Sequence, residues 1–397
     1  MALEGSGAPV LLRHHHGPRI VRHEPDVPTT PMMPTSPSGL EGFEALSSSN
    51  VVMVTGKGGV GKTTTAAAIA LASVASGRRT MLVEVEGRQG FSRTFGTATW
   101  DYQPREFRPD LWGMAIDPTD AVYEYLDRFY GLKRVHWVME RSHALDFVTA
   151  AAPGLRDLLL LGKIYDLEIQ RRSDGRRRYD LIVVDAPPTG RIVPFLRAPE
   201  GVTEIVRVGP IQRQAGAMWE MLQNPRRLRA VVVSLLEEMP VRETVEAVTA
   251  LGDAGVDVGP VITNQVVVPR LSAAAAQEAH RLGRDELLDR VTAAGARMSG
   301  RTTDLLLELI ATHRDRVELQ SGLRDELAAS CALPVLALPL MTGATFEAPD
   351  LEVLADLLAL QLGDDGPHAE ERYDERELQQ VLEMARPAPA PAPGGST

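Results

Sequence analysis

Val51-Val52-Met53-Val54-Thr55-Gly56-Lys57-Gly58-Gly59-Val60-Gly61-Lys62-Thr63-Thr64 joins an apolar, β-branched run to a glycine-rich turn, and an alanine-rich stretch over residues 66–75 follows it. Strand, glycine loop and helix in that order are the context in which G-x-x-x-x-G-K-[ST] cradles phosphate. Glycines let the backbone curl so that successive N–H groups point inward at anionic oxygens. The start of the helix adds the positive end of its dipole. In such a loop Gly56, Gly58, Gly59, Val60 and Gly61 supply the backbone cradle and Lys62 reaches the β- and γ-phosphates. The Thr63 hydroxyl ligates Mg²⁺, and Thr64 carries the loop into the helix. A glycine turn with no ligand is the plain alternative; the flanking strand and helix argue against it.

The bulk composition is compatible with that reading. The chain has 397 residues, 44% hydrophobic and 24% charged, which suits a globular protein with one large domain or two smaller ones. Its 42 basic and 53 acidic residues give a net charge of −11, which counts against general nucleic-acid binding. A single cysteine, Cys331, excludes an intramolecular disulfide and any Cys-x-x-Cys metal site made by one chain. It also points to a reducing, cytoplasmic setting. No apolar run nears the ~18 residues of a transmembrane helix, and no signal-peptide pattern opens the chain. An integral membrane protein is therefore not expected.

Three segments follow from composition. Residues 1–46 are rich in Pro, Gly, Ser and Thr and are expected to be a disordered tail, with His14-His15-His16 read as an unstructured tract. Residues 47–363 carry the phosphate-loop domain, with helical insertions at about 118–170 and 195–225. Residues 364–397 are an acidic segment followed by a Pro/Ala-rich tail.

Within the domain, residues 80–85 read as a second buried strand, so strand, helix, strand already implies a mostly parallel α/β sheet flanked by helices. That strand runs into Glu86-Gly87-Arg88-Gln89-Gly90, a polar loop at a carboxyl end, where ligand-contacting loops sit in open α/β sheets. Further strands are expected at 111–116, 179–184, 230–235, 256–263 and 333–338. Helices are expected at 117–130, 134–150, 155–169, 240–251, 273–281, 303–329 and 349–362. The basic stretch 171–178 reads as a solvated connection, since no aromatic residues interleave with it to stack bases. The strand at 179–184 delivers Asp185 at its end, the Walker-B arrangement that sets a carboxylate near a metal or its waters. Asp185-Ala186-Pro187-Pro188-Thr189-Gly190 then reads as a stiff non-helical turn. Residues 195–225, broken by Pro199, Gly201, Pro210 and Pro225, read as short helices over one sheet edge.

The second lysine of the loop, Lys57, narrows the class. Gly-Lys-Gly-Gly-Val-Gly-Lys-Thr-Thr resembles the deviant phosphate loop of the SIMIBI nucleotidases. In that class the extra lysine commonly crosses a dimer interface to nucleotide on the partner subunit; a solvated loop lysine is the plain alternative. Several stretches are similar to the arsenical-pump and tail-anchored-protein-targeting ATPase family. Residues 84–95 sit where that family has switch I, and residues 185–190 resemble its switch II. Ile262-Thr263-Asn264-Gln265 resembles the strand end whose asparagine contacts adenine, and Pro339-Leu340 lies where a second adenine-side loop falls. Glu243-Thr244 resembles a similarly placed pair in a strand-to-helix stretch. The likeness covers about residues 50–362 and is strongest to an actinobacterial anion-transporting branch, whose members often occur as two related chains.

That resemblance implies a cytoplasmic, Mg²⁺-dependent ATPase working as a nucleotide-gated homodimer, or a heterodimer with a related chain. Lys57, Lys62, Glu86 and Asp185 are its catalytic candidates, and Thr63 with Asp185, the latter through water, its metal site. Glu86 aligns with the family's water-positioning aspartate, with Glu84 as a rival. Arg191 stands where relatives tend to have histidine and is free to pair with phosphate or a carboxylate. The single cysteine departs from the metalloid and zinc sites of relatives and argues against arsenite transport. A chaperone-like targeting role, with an apolar client groove in residues 195–225, is one alternative. A partition or division-site ATPase that meets DNA or a membrane is another.

Overall fold

The computed structural model describes residues 46, 48–85, 89–130, 153–205, 209–341 and 346–362. The strands are β1 (Val51–Gly56), β2 (Thr80–Val85), β3 (Arg105–Arg108), β4 (Leu111–Ile116), β5 (Leu181–Asp185), β6 (Leu228–Leu235), β7 (Val258–Val266) and β8 (Val335–Pro339). The helices are α1 (Lys62–Ala75), α2 (Gly90–Thr94), α3 (Pro118–Tyr130), α4 (Pro153–Ile169), α5 (Thr189–Ile205), α6 (Pro210–Leu222), α7 (Glu238–Asp253), α8 (Ala273–Arg281), α9 (Arg284–Ala293), α10 (Gly300–Cys331) and α11 (Ala348–Gln361).

The strands form one sheet in the order β3-β4-β2-β5-β1-β6-β7-β8. All neighbours are parallel except β3 against β4. β1, β2 and β4 are buried along their whole length, the continuous apolar run that a parallel strand covered on both faces requires. Alternate residues feed opposite layers. Val51 and Met53 join α4, α5 and α6 through Leu160, Phe195 and Met221. Val52 and Val54 join α1 and α11 through Ala67, Ile69, Leu354 and Leu358. A third cluster seats α7 and α10 on β7 and β8 through Val241, Leu323 and Leu327.

The expected architecture is present, with corrections. Edge strand β3 and helix α9 carry too few apolar residues to show a period. Residues 189–190 open α5, and α5 runs through Pro194 and Pro199 to Ile205. Burial of Ile192, Phe195, Leu196 and Ala198 outweighs the hydrogen bonds that the two prolines remove. Helices α5 and α6 pack over the face of the central strands, not over an edge. β7 continues through Asn264 and Gln265, with Gln265 at φ 56°. The expected helix at 134–150, residues 1–45 and residues 364–397 lie outside the described residues, while Leu46, the last residue of the expected disordered tail, is buried in the core.

Candidate nucleotide site

The loop after β1 wraps the start of α1. Gly61, the N-cap of α1, has φ 90°, and a Cβ there would run into the Asn264 side chain. Asn264 is buried at the end of β7, and its Nδ2 donates to the Val60 carbonyl at 2.9 Å. A strand two places along the sheet thus props the loop from behind. No side chain caps the N-terminus of α1, and its first turn holds no acidic residue. Its first N–H groups therefore face an anion site with no internal competitor. Lys62 opens the helix, is 8% exposed, and donates from Nζ to the Lys57 carbonyl at 3.0 Å.

One residue on, Thr63 Oγ1 donates to Asp185 Oδ2 at 2.6 Å. β5 lies beside β1 with Asp185 opposite Val54, so strand register alone sets that carboxylate against the start of α1. Thr55 Oγ1 donates to the Pro187 carbonyl at 2.7 Å and ties β1 to the segment after Asp185. Arg191 in that segment pairs with Asp157 of α4 at 3.4 Å.

The β2 side supplies Glu84, 1% exposed, whose carboxylate accepts from the Gly90 and Phe91 N–H groups at 3.0 and 3.3 Å. Gln89, at φ 56°, clamps the Trp100 backbone with both ends of its amide, each at 2.9 Å. Glu86 lies outside the described residues. Lys57 is 40% exposed and its Nζ meets Glu243 Oε1 of α7 at 2.6 Å, within its own chain.

These groups fit a magnesium nucleotide. A helix start without a cap, a buried ammonium and glycine backbone suit phosphates. A hydroxyl held on a carboxylate suits a hydrated divalent cation, which Mg²⁺ prefers to an all-protein cage. The structure brings Gly56 to Thr64, Asp185 and Asn264 together. Pro339 closes β8 opposite Val266, in the strand next to Asn264. Sequence reasoning missed the pairing role of Glu243, the Thr55 tie and the Gln89 clamp; all three join segments far apart in the chain, or bind backbone, and leave no motif. Within residues 195–225, Ile211, Ala215 and Met218 of α6 line an apolar cavity with Leu155, Leu158 and Leu159 of α4. Met218, Met221 and Leu222 are core residues, and Trp219 packs against them, because α6 turns its apolar face to the sheet.

A model of the anion-transporting ATPase family matches residues 49–225. ATPase BagA of Mycobacterium tuberculosis is 36% identical over 324 residues, covering 80% of this chain and 94% of that protein. ATPase GET3 of Meyerozyma guilliermondii is 25% identical over 267 residues, covering 57% of this chain and 76% of that protein. With its phosphate loop, its Thr63–Asp185 pair and these relatives, the chain belongs to the anion-transporting ATPase family and is an ATPase.

Proposed function

We propose that Mg²⁺-dependent ATP hydrolysis at this site drives a nucleotide-gated dimer, formed with a second copy or with a related ATPase chain. The carrying observation is the Thr63–Asp185 hydrogen bond beside the uncapped start of α1. The loop amides and Lys62 hold the phosphates. Thr63 and, through water, Asp185 hold Mg²⁺, which when bound offsets charge on the phosphate oxygens. Asn264 keeps the loop in shape from β7. Glu86, by the family resemblance, orients the attacking water. Lys57 leaves Glu243 to offset charge on the partner's nucleotide; at 40% exposure its side chain is accessible from outside the chain. Such positioning and charge stabilisation carry most of the catalysis of phosphoryl transfer. Loss of the γ-phosphate would then relax the loops after β2 and β5 and alter the dimer.

Turnover and sedimentation of the wild type and Lys57→Ala, each with and without Mg²⁺-ATP, test this reading. Dimerisation of the wild type on ATP, and an ATP-binding variant that neither dimerises nor turns over, are expected. A Lys57→Ala variant with wild-type turnover would sink the trans role.

A further inference from the structure

Glu84 is an expensive residue where it stands. It is a buried carboxylate near the carboxyl end of an interior strand, and no described lysine or arginine pairs with it. A buried charge persists only when strong hydrogen bonds replace water. Here they come from the backbone N–H groups of Gly90 and Phe91, the first two residues of α2. A Ser or Asp at the N-cap would satisfy one amide of this first turn at lower cost. What Glu84 adds is a tie between the strand and the segment that returns from it.

That tie ends on the metal-site threonine. A Cβ at residue 90 would lie 2.9 Å from Thr63 Cγ2, so the missing side chain lets the start of α2 press against Thr63. Glu84 and Asp185 are register partners on adjacent parallel strands, and register partners point to the same face of a sheet. Two carboxylates therefore converge on one hydroxyl-bearing side chain: Asp185 by accepting its hydrogen bond, Glu84 by pinning Gly90 against its methyl.

Resting on the nucleotide-site reading above, we propose that Glu84 is a positioning residue for the metal site, holding α2 against Thr63 so that the threonine hydroxyl stays aligned on Asp185. The rival role as water-positioning base does not suit it, because its carboxylate is committed to two amides.

The test uses the full chain as wild type, Glu84→Gln and Gly90→Ala. Two readouts are taken: hydrogen exchange of the peptide spanning Gly90 and Phe91 without nucleotide, and affinity for a fluorescent ATP analogue with Mg²⁺ and with EDTA. Glu84→Gln should speed exchange about tenfold, because it loses a charge-assisted bond. It should also raise the Mg²⁺ concentration needed for tight binding by about tenfold, with affinity in EDTA unchanged. Gly90→Ala crowds Thr63 while leaving Glu84 in place, and should reproduce the Mg²⁺ shift. Unchanged exchange, or a loss of affinity equal with and without Mg²⁺, would overturn the proposal, since a merely structural role cannot discriminate the metal. A wild type whose binding ignores Mg²⁺ would overturn the metal-site reading itself, an outcome distinct from failure of the variants alone.

Discussion

At the amino ends of the central strands, the Glu168 side chain is 2% exposed and sits between Arg177 and Arg227, each at 2.6 Å, with Asn50 at 3.1 Å. At the carboxyl ends, Asp185 accepts from the Thr63 hydroxyl and Glu84 from two backbone amides. Both clusters contain buried carboxylates, but they are solvated differently. Around Glu168 two guanidinium groups and an amide complete the shell, and the cluster cross-links the end of α4 to the residues just before β1 and β6. Around Thr63 the shell is built of dipoles beside a helix start and an ammonium, a field that suits an incoming phosphate and cation. One end of the sheet is a closed structural lock and the other an open chemical site. The carboxyl ends are where ligands bind in open α/β sheets.

The contrast breaks first at Glu168. Glu168→Ala strands two part-buried arginines and should cost about 3–5 kcal/mol of stability, seen as a lowered melting transition, while turnover of the molecules that remain folded persists. Turnover lost in step with no loss of stability would merge the two ends. Lys62→Ala should do the reverse: turnover falls by about 10²–10³, with melting little changed. Acid sharpens the difference further. Burial pushes the Glu168 carboxyl up, but hydrogen bonds from Arg227 and Arg177 outweigh it and hold the group below its ordinary range. The stability it contributes is therefore present above the unfolded value of about 4.3 and lost as pH falls through the lower folded value. Denaturant midpoints of wild type and Glu168→Ala should accordingly differ at about pH 6 and converge as pH falls through the lowered folded value. The smallest effect is expected at the rim of the site. The Lys57–Glu243 pair is partly exposed, so Glu243→Gln should change stability by less than about 1 kcal/mol. By freeing Lys57 it should lower the ATP concentration that half-saturates dimerisation by up to about fivefold, read by sedimentation.

Local chemistry made much of this legible. The helix α8 expected at 273–281 has those bounds, as does strand β2 at 80–85. Each holds a periodic or β-branched pattern between clear breakers. The expectation failed at α5, where two prolines outvoted the period although Phe195 and Leu196 gain a fully buried seat against the sheet. It failed again at β3, whose four residues are too few and too polar to mark a strand.

By itself, the sequence determined the phosphate loop, the parallel α/β class and the carboxylate at the end of β5, because each depends on residues adjacent in the chain. Only the tertiary structure decided the partners. Thr63 meets Asp185 across 122 residues and Lys57 meets Glu243 across 186. Strand order and register create those contacts, and no local pattern encodes which strands lie side by side. The same holds for Glu84, which reads as one polar residue in an apolar strand until the sheet sets it opposite Asp185 and α2 folds its first two amides onto it.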